Sequence, residues 1–247
     1  MQRYFTNQEI KTEYKLDATT YHHAVVVLRM KVGSQFELVD AKQTVYLMEL
    51  SELANKEAKA KVISKLDSQV ELPLAISIAC GLSKGDKAEW IVQKGTELGA
   101  SEFIFFKGDY SVAKWDQKKA KKKVDRLQKI AQGAAEQSHR TKIPTVRYVE
   151  NLKELTTFEG AKFLAYEEAA KQGETRALVK LTRELRTQVQ PLLAVFGPEG
   201  GISPAEVTLA KQAGFVLGGL GPRILRAETA PLYLLASLSY ALELEWD

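Results

Sequence analysis

Two hydrophobic patterns divide this chain. Up to about residue 71, apolar and polar positions alternate over short stretches broken by turns. Gln35–Asp40, Thr44–Met48 and Lys59–Ser64 read as strands, with a turn at Asp40-Ala-Lys-Gln43 between the first two. Asp17 to Met30 reads as partly helical, with Tyr21, Val25 and Leu28 on one face. These elements predict a small β-rich barrel, and Ser68–Pro73 is the expected boundary. From Leu74 the pattern changes to continuous apolar runs: Leu74–Cys80, Phe103–Phe106, Phe163–Tyr166, Leu192–Phe196 and Phe215–Leu217. Helical stretches separate them, which predicts a parallel, doubly covered α/β sheet of unspecified strand order. Asp86 and Glu89 are expected to form a capping box for a helix through Ile91 and Lys94 that Gly99 ends. A last helix begins near Thr229, carries Pro231 in its first turn, and runs through Leu235, Leu238 and Leu242. It is apolar on nearly every face, so its second face is expected to bury against a partner subunit.

The segment from Gly197 to Pro231 carries the candidate chemistry. The apolar strand ending at Phe196 runs into Gly197-Pro-Glu-Gly-Gly201, and Ser203-Pro-Ala-Glu206 then opens a capped helix. A strand, a glycine-rich turn and a helix N-terminus bring backbone close to a ligand. The dinucleotide and P-loop patterns are absent, and Glu199 would repel a phosphate, so the loop suits a ligand with cationic character. An ordinary strand-to-helix turn is the alternative. Leu217-Gly-Gly-Leu-Gly221 is too glycine-rich to pack well as a strand and again implies close backbone approach. Replacing Gly200 or Gly221 with valine is expected to block that approach while the fold survives. Arg223 and Arg226 flank the apolar pair Ile224-Leu225.

Composition narrows the class. At 247 residues with 45% hydrophobic and 27% charged content, the chain is sized for one large or two small globular domains. No apolar run approaches the roughly 20 residues that span a bilayer, and Met1-Gln-Arg-Tyr-Phe has no apolar signal region, so a cytoplasmic protein is expected. Cys80, the only cysteine, sits in an apolar run and reads as a buried, inert thiol. His22 and His23 are adjacent and His139 is distant, so no metal is expected. The net charge of +4 is mild, but eight basic residues fall between Lys114 and Lys129. They read either as the solvated face of a helix packed through Val124, Leu127 and Ile130, or as a patch for an RNA backbone. Arg140, Lys142 and Arg147 just downstream favour RNA.

The paired segments Gly197–Gly201 and Leu220–Ala230 resemble the cofactor signature of the SPOUT methyltransferases. Within these the chain is most similar to the RsmE family, the 16S ribosomal RNA uridine N3-methyltransferases. Further matches run along the chain in order: Arg3-Tyr-Phe5, His22 to Gly33, Lys84-Gly-Asp-Lys87, Gln93 to Gly99, and Ala135-Glu-Gln-Ser-His-Arg140. Ser34 departs from the acid the family more often has there, at a turn. The resemblance implies a PUA-like β-barrel domain over residues 1–71 and a SPOUT domain with a deep trefoil knot over 72–247. It implies S-adenosyl-L-methionine as cofactor, held by Tyr166, Gly197, Glu199, Gly200, Gly201, Leu220, Gly221, Ile224 and Leu225. Methylation of N3 requires that the ring anion be favoured and a proton removed, so Arg226 and Arg3 are the candidate arginines and Glu199 or Glu228 the candidate acids. A salt bridge at a helix end is the structural alternative for Arg226, and a solvated terminus that for Arg3. RNA contacts are assigned to Lys118, Lys119, Lys122, Arg126 and Arg140, with Arg29 in the first domain. The implied partners are ribosomal RNA within a small-subunit particle and a second copy of the chain. A 2′-O-ribose methyltransferase and a non-catalytic RNA-binding assembly factor are the rival readings.

Overall fold

The computed structural model describes residues 1–168 and 176–244. They form two compact units, Met1–Glu71 together with Ala135–Lys142, and Leu72–Ala134 together with Ile143–Asp247. The expected second domain thus gives up the segment 135–142, which folds with the first.

In the first unit, β1 (Arg3–Phe5), β2 (Glu13–Lys15), β3 (Gln35–Val39), β4 (Val45–Ala54) and β5 (Glu57–Leu66) form one sheet in the order β1-β3-β4-β5-β2. Only β1 and β3 run parallel. Alternation places Phe36 and Leu38, then Tyr46, Met48 and Leu50, on the buried face with Tyr4, Tyr14 and Ala60. Asn55 and Lys56 link β4 to β5 with φ of 52° and 63°, the two-residue hairpin turn whose twist matches the strands. The helical stretch starts as α1 (Ala18–Tyr21), capped by Asp17, whose Oδ1 accepts from the N–H groups of Thr19 and Thr20. It then widens into π-helical turns over His22–Val27, with Leu28 N–H donating to the carbonyl five residues back at His23. The widened pitch breaks the expected single face. Tyr21 and Val25 still pack on the core, but Leu28 is exposed, as are Val26 and Val27.

Residues 135–142 are tied in by ions. The buried Arg140 guanidinium forks onto Glu71, which also accepts from the N–H groups of Thr141 (2.9 Å) and Lys142 (3.1 Å). Burial pushes the Glu71 carboxyl up, but Arg140 and these N–H groups outweigh it and hold the carboxyl below its ordinary 4.5. A carboxyl depressed on folding stabilises above its unfolded pKa, and that contribution is lost as pH falls through the lower folded value. Thermal melts from neutral pH to below 4.5 should therefore show an acid-side loss that Glu71→Gln flattens.

The second unit places β6 (Ile76–Gly81), β7 (Glu102–Phe106), β8 (Thr145–Val149), β9 (Ala161–Ala165), β10 (Leu192–Phe196) and β11 (Val216–Gly218) in one sheet. The order is β11-β9-β10-β6-β7-β8, and every pairing is parallel. Such strands are buried on both faces, which explains their unbroken apolar runs. Ile78, Phe103, Ala194 and Phe196 belong to the core on one face; Ala79, Ile104, Leu193 and Val195 belong to that on the other. The first core holds Ile91 of α2 (Lys87–Glu97), Leu127 of α3 (Gln117–Gln137), Leu181 of α4 (Ala177–Thr187) and Leu234 of α6 (Thr229–Ser239). The second holds Val207 of α5 (Pro204–Gln212). The capping box expected at Asp86 is not formed. Asp86 lies at φ −98°, ψ 9° with no side-chain cap bond, and Glu89 accepts from Arg126 Nη2 at 2.8 Å instead. The box at Ser203 and Glu206 is formed, with Pro204 opening the helix. Cys80 is buried, and burial lifts its thiol far above the ordinary 9.0, which keeps it inert.

The chain runs outward through β6, β7 and β8, then returns to the other side for β9, with β10 inserted between β9 and β6. The loops after β9, β10 and β11 therefore leave the carboxyl ends of three adjacent strands. In open parallel sheets, the reversal of strand order opens a crevice at those ends.

Candidate functional site

These three loops enclose a cavity of about 590 Å³, within the range of small-molecule sites. Tyr166 follows β9, with its N–H donating to Gly218 O (3.0 Å) at the end of β11. The loop after β10 closes through Gly201 N–H donating to Pro198 O (2.9 Å), and Gly201 has φ of +79°. The segment after β11 passes Gly219, Leu220 and Gly221 before the arginines, and Arg226 O then accepts from Thr229 and Ala230 N–H as α6 begins.

All nine residues expected to hold a cofactor line this one cavity: Tyr166, Gly197, Glu199, Gly200, Gly201, Leu220, Gly221, Ile224 and Leu225. Arg226 lines it too, as do Arg223 and Lys87. Among the described residues, neither the Arg223 nor the Arg226 guanidinium has a hydrogen-bond or ion-pair partner; both are exposed, and Ile224 between them is 74% exposed.

Lys87 is the site residue that sequence reasoning passed over. The only signal was its place in the block Lys84–Lys87, because its two partners lie more than a hundred residues downstream. Lys87 Nζ donates to Glu199 Oε1 at 2.7 Å and lies 3.6 Å from Glu228 Oε2. The second distance is an ion pair without a hydrogen bond, which leaves that buried Glu228 oxygen with no hydrogen-bond partner among the described residues. Lys84 N–H adds a long bond to Glu199 (3.3 Å). Burial pushes the Glu199 carboxyl up, but the Lys87 hydrogen bond and backbone N–H groups pull it below its ordinary value overall. Conversely, the bond to Glu199 raises the Lys87 ammonium. The carboxylate expected to repel phosphate is thus already paired.

The glycine expectation is corrected at Gly200. A Cβ there would meet Tyr110 Cβ at 2.8 Å and Tyr110 O at 3.0 Å, so this glycine packs against protein as well as lining the cavity. Gly200→Val should lose about 1–3 kcal/mol of stability from overpacking, visible as a lowered melting temperature. Gly221 sits at φ +91°, where any side chain is strained.

Arg3 is not among the residues that line this cavity. It is buried in the first unit, with Nε donating to Glu37 (2.7 Å) and Nη1 to the carbonyls of His139 (2.5 Å) and Arg140 (3.1 Å). His139 Nδ1 meets the same Glu37 oxygen at 2.9 Å. Neither a solvated terminus nor a free cation describes this arginine. Arg140 is equally committed to Glu71, which removes it from the surface set expected to meet RNA. Lys118, Lys119, Lys122 and Arg126 are exposed on α3, Arg126 paired with Glu89, while Leu127 is buried on the opposite side. Arg29 is exposed in the first unit at φ 55°.

The cavity fits S-adenosylmethionine in its donor set. Glycine backbone and the apolar Phe196, Ile202 and Leu220 can take an adenine, while the Glu199 carboxylate in the cavity wall suits a ligand that carries positive charge. Among the described residues, no group of three or more His, Cys, Asp or Glu could hold a metal.

Residues 70–239 match the family described as RNA methyltransferase domain, and residues 16–63 match that described as RNA methyltransferase PUA domain. Fold and site together define an RNA methyltransferase with an appended PUA domain. The chain is 44% identical over 253 residues to ribosomal RNA small subunit methyltransferase E of Bacillus subtilis (strain 168), covering 99% of this chain and 98% of that one. It is 34% identical to the protein of that name from Synechocystis sp., with 96% and 76% covered. A crystal structure of ribosomal RNA small subunit methyltransferase E from Neisseria gonorrhoeae, bound to S-adenosyl methionine, superposes with a TM-score of 0.83 at 26% identity, over 97% of each chain. The chain belongs to the ribosomal RNA small subunit methyltransferase E family.

Proposed function

We propose that this protein methylates N3 of a uridine in 16S ribosomal RNA, using S-adenosylmethionine held in the cavity between the loops after β9, β10 and β11. The observation that carries the reading is the convergence of Glu199, the two glycine segments and Arg226 on that one cavity. The cofactor supplies an electrophilic methyl on its sulfonium, so the protein's task is alignment and control of one proton. Arg226 meets the negative charge that develops on the ring oxygens as N3 loses its proton. Glu199, held below its ordinary pKa by Lys87, is a weak base and serves to orient, which leaves the proton to solvent at the open rim. N3 lies on the pairing edge, so the target uridine must be unpaired or extruded.

The second unit then carries the deep trefoil knot of the SPOUT fold. An order of β11-β9-β10-β6, with α6 packed on α2 and β10, suits it. The first unit is a PUA-like barrel that grips RNA, with Arg29 on its surface. Trp90 of α2 and Tyr233 of α6 are exposed, as are Tyr240 and Leu244 just beyond it, which supports a homodimer through this face. The substrate is the RNA of a small-subunit particle in the cytoplasm.

Calorimetry with S-adenosylmethionine tests the reading. Saturable binding is expected, and its absence would favour an assembly factor without catalysis. The RNA grip of α3 has its own signature. Neutralising Lys118, Lys119, Lys122 and Arg126 should flatten the salt dependence of RNA affinity by roughly 0.7 to 0.9 in log–log slope per lost phosphate contact. Cofactor affinity should stay unchanged.

A further inference from the structure

We propose that Lys87 is a positioning residue, a clasp that joins the two cofactor loops and finishes closing when the cavity fills. The inference rests on the proposed cofactor. Glu199 belongs to the loop after β10, and Glu228 immediately precedes α6 at the end of the segment after β11. These loops leave strands separated by β9, and no backbone pairing joins their strands. Lys87, the first residue of α2, reaches both carboxylates with one ammonium.

The two arms are unequal. The bond to Glu199 is complete at 2.7 Å, whereas Glu228 Oε2 stands 3.6 Å away, buried and without a hydrogen bond among the described residues. A buried carboxylate oxygen left in this state is costly, and a shift of well under 1 Å would satisfy it. Lys87 has further N–H groups to offer, so closure of the Glu228 arm breaks no existing bond. A ligand that draws the segment 219–228 inward gains this interaction, so ligand affinity and loop order rise together.

The test is calorimetry with S-adenosylmethionine, paired with hydrogen exchange over residues 219–228 with and without it, on the full chain. The parent should bind and gain protection in that segment. Lys87→Met should lose about tenfold in affinity, the scale of one charged hydrogen bond, together with the added protection. Lys87→Arg, which keeps the charge and reach, should restore both in large part. Glu228→Gln is the second variant. It leaves the Lys87–Glu199 bond in place and should lose the added protection with a smaller loss of affinity. Parent-like binding and protection in either Lys87→Met or Glu228→Gln would overturn the clasp. If Lys87→Met does not fold, Glu228→Gln decides alone. A parent that binds no S-adenosylmethionine would overturn the proposed function, and the clasp with it.

Discussion

Arg226→Ala is expected to lower the rate of methyl transfer about 10²–10³-fold, the cost of removing one donor aimed at developing charge. S-adenosylmethionine affinity and melting temperature should stay close to the parent. The Arg226 guanidinium is exposed with no partner among the described residues, so its removal orphans nothing. Its structural duty at the start of α6 is carried by the backbone carbonyl, which alanine keeps. Arg226→Lys should recover only part of the rate, because a point charge cannot reproduce the planar fork that meets two oxygens. Single-turnover kinetics with saturating cofactor would separate this from a binding defect. A variant with the parental rate would overturn the role given to Arg226 in methyl transfer.

Arg3→Ala should act in the opposite way. Breaking a buried, hydrogen-bonded pair by removing one partner costs about 3–5 kcal/mol, and the lower end is expected because Glu37 keeps His139 Nδ1. The lost bonds also release the carbonyls of His139 and Arg140, which fasten residues 135–142 within the first unit. Denaturant unfolding should report the loss. Below the new melting point, the surviving folded fraction should retain its rate per molecule. A stable variant with a collapsed rate would instead support the catalytic role that the sequence alone suggested for Arg3.

The sequence was readable where chemistry is local. Runs such as Leu192–Phe196 announce strands covered on both faces, and Ser203 and Glu206 form the capping box their spacing implies. The glycine segments pointed to one cavity because both leave the carboxyl ends of parallel strands, β10 and β11, that flank β9. Partners far apart in the chain were not readable. Arg140 looked like one more member of a basic run, yet its partner Glu71 lies 69 positions away. Glu89 left its expected cap for Arg126, 37 positions on. β1 and β2 have three residues each, too short to show a period, and their pairing with β3 and β5 defines them. The hairpin at Asn55-Lys56 lacks the glycine that usually marks such a turn. Lys87 escaped notice for the same reason as Arg140, since only the folded sheet brings Glu199 and Glu228 to it.

The most direct measurement is to incubate the protein with small ribosomal subunits and methyl-labelled S-adenosylmethionine, digest the 16S RNA to nucleosides, and identify the labelled product by mass spectrometry. The account predicts label in 3-methyluridine, at a level that collapses with Arg226→Ala. Label confined to 2′-O-methylated nucleosides, or no transfer by a protein that binds the cofactor, would contradict it.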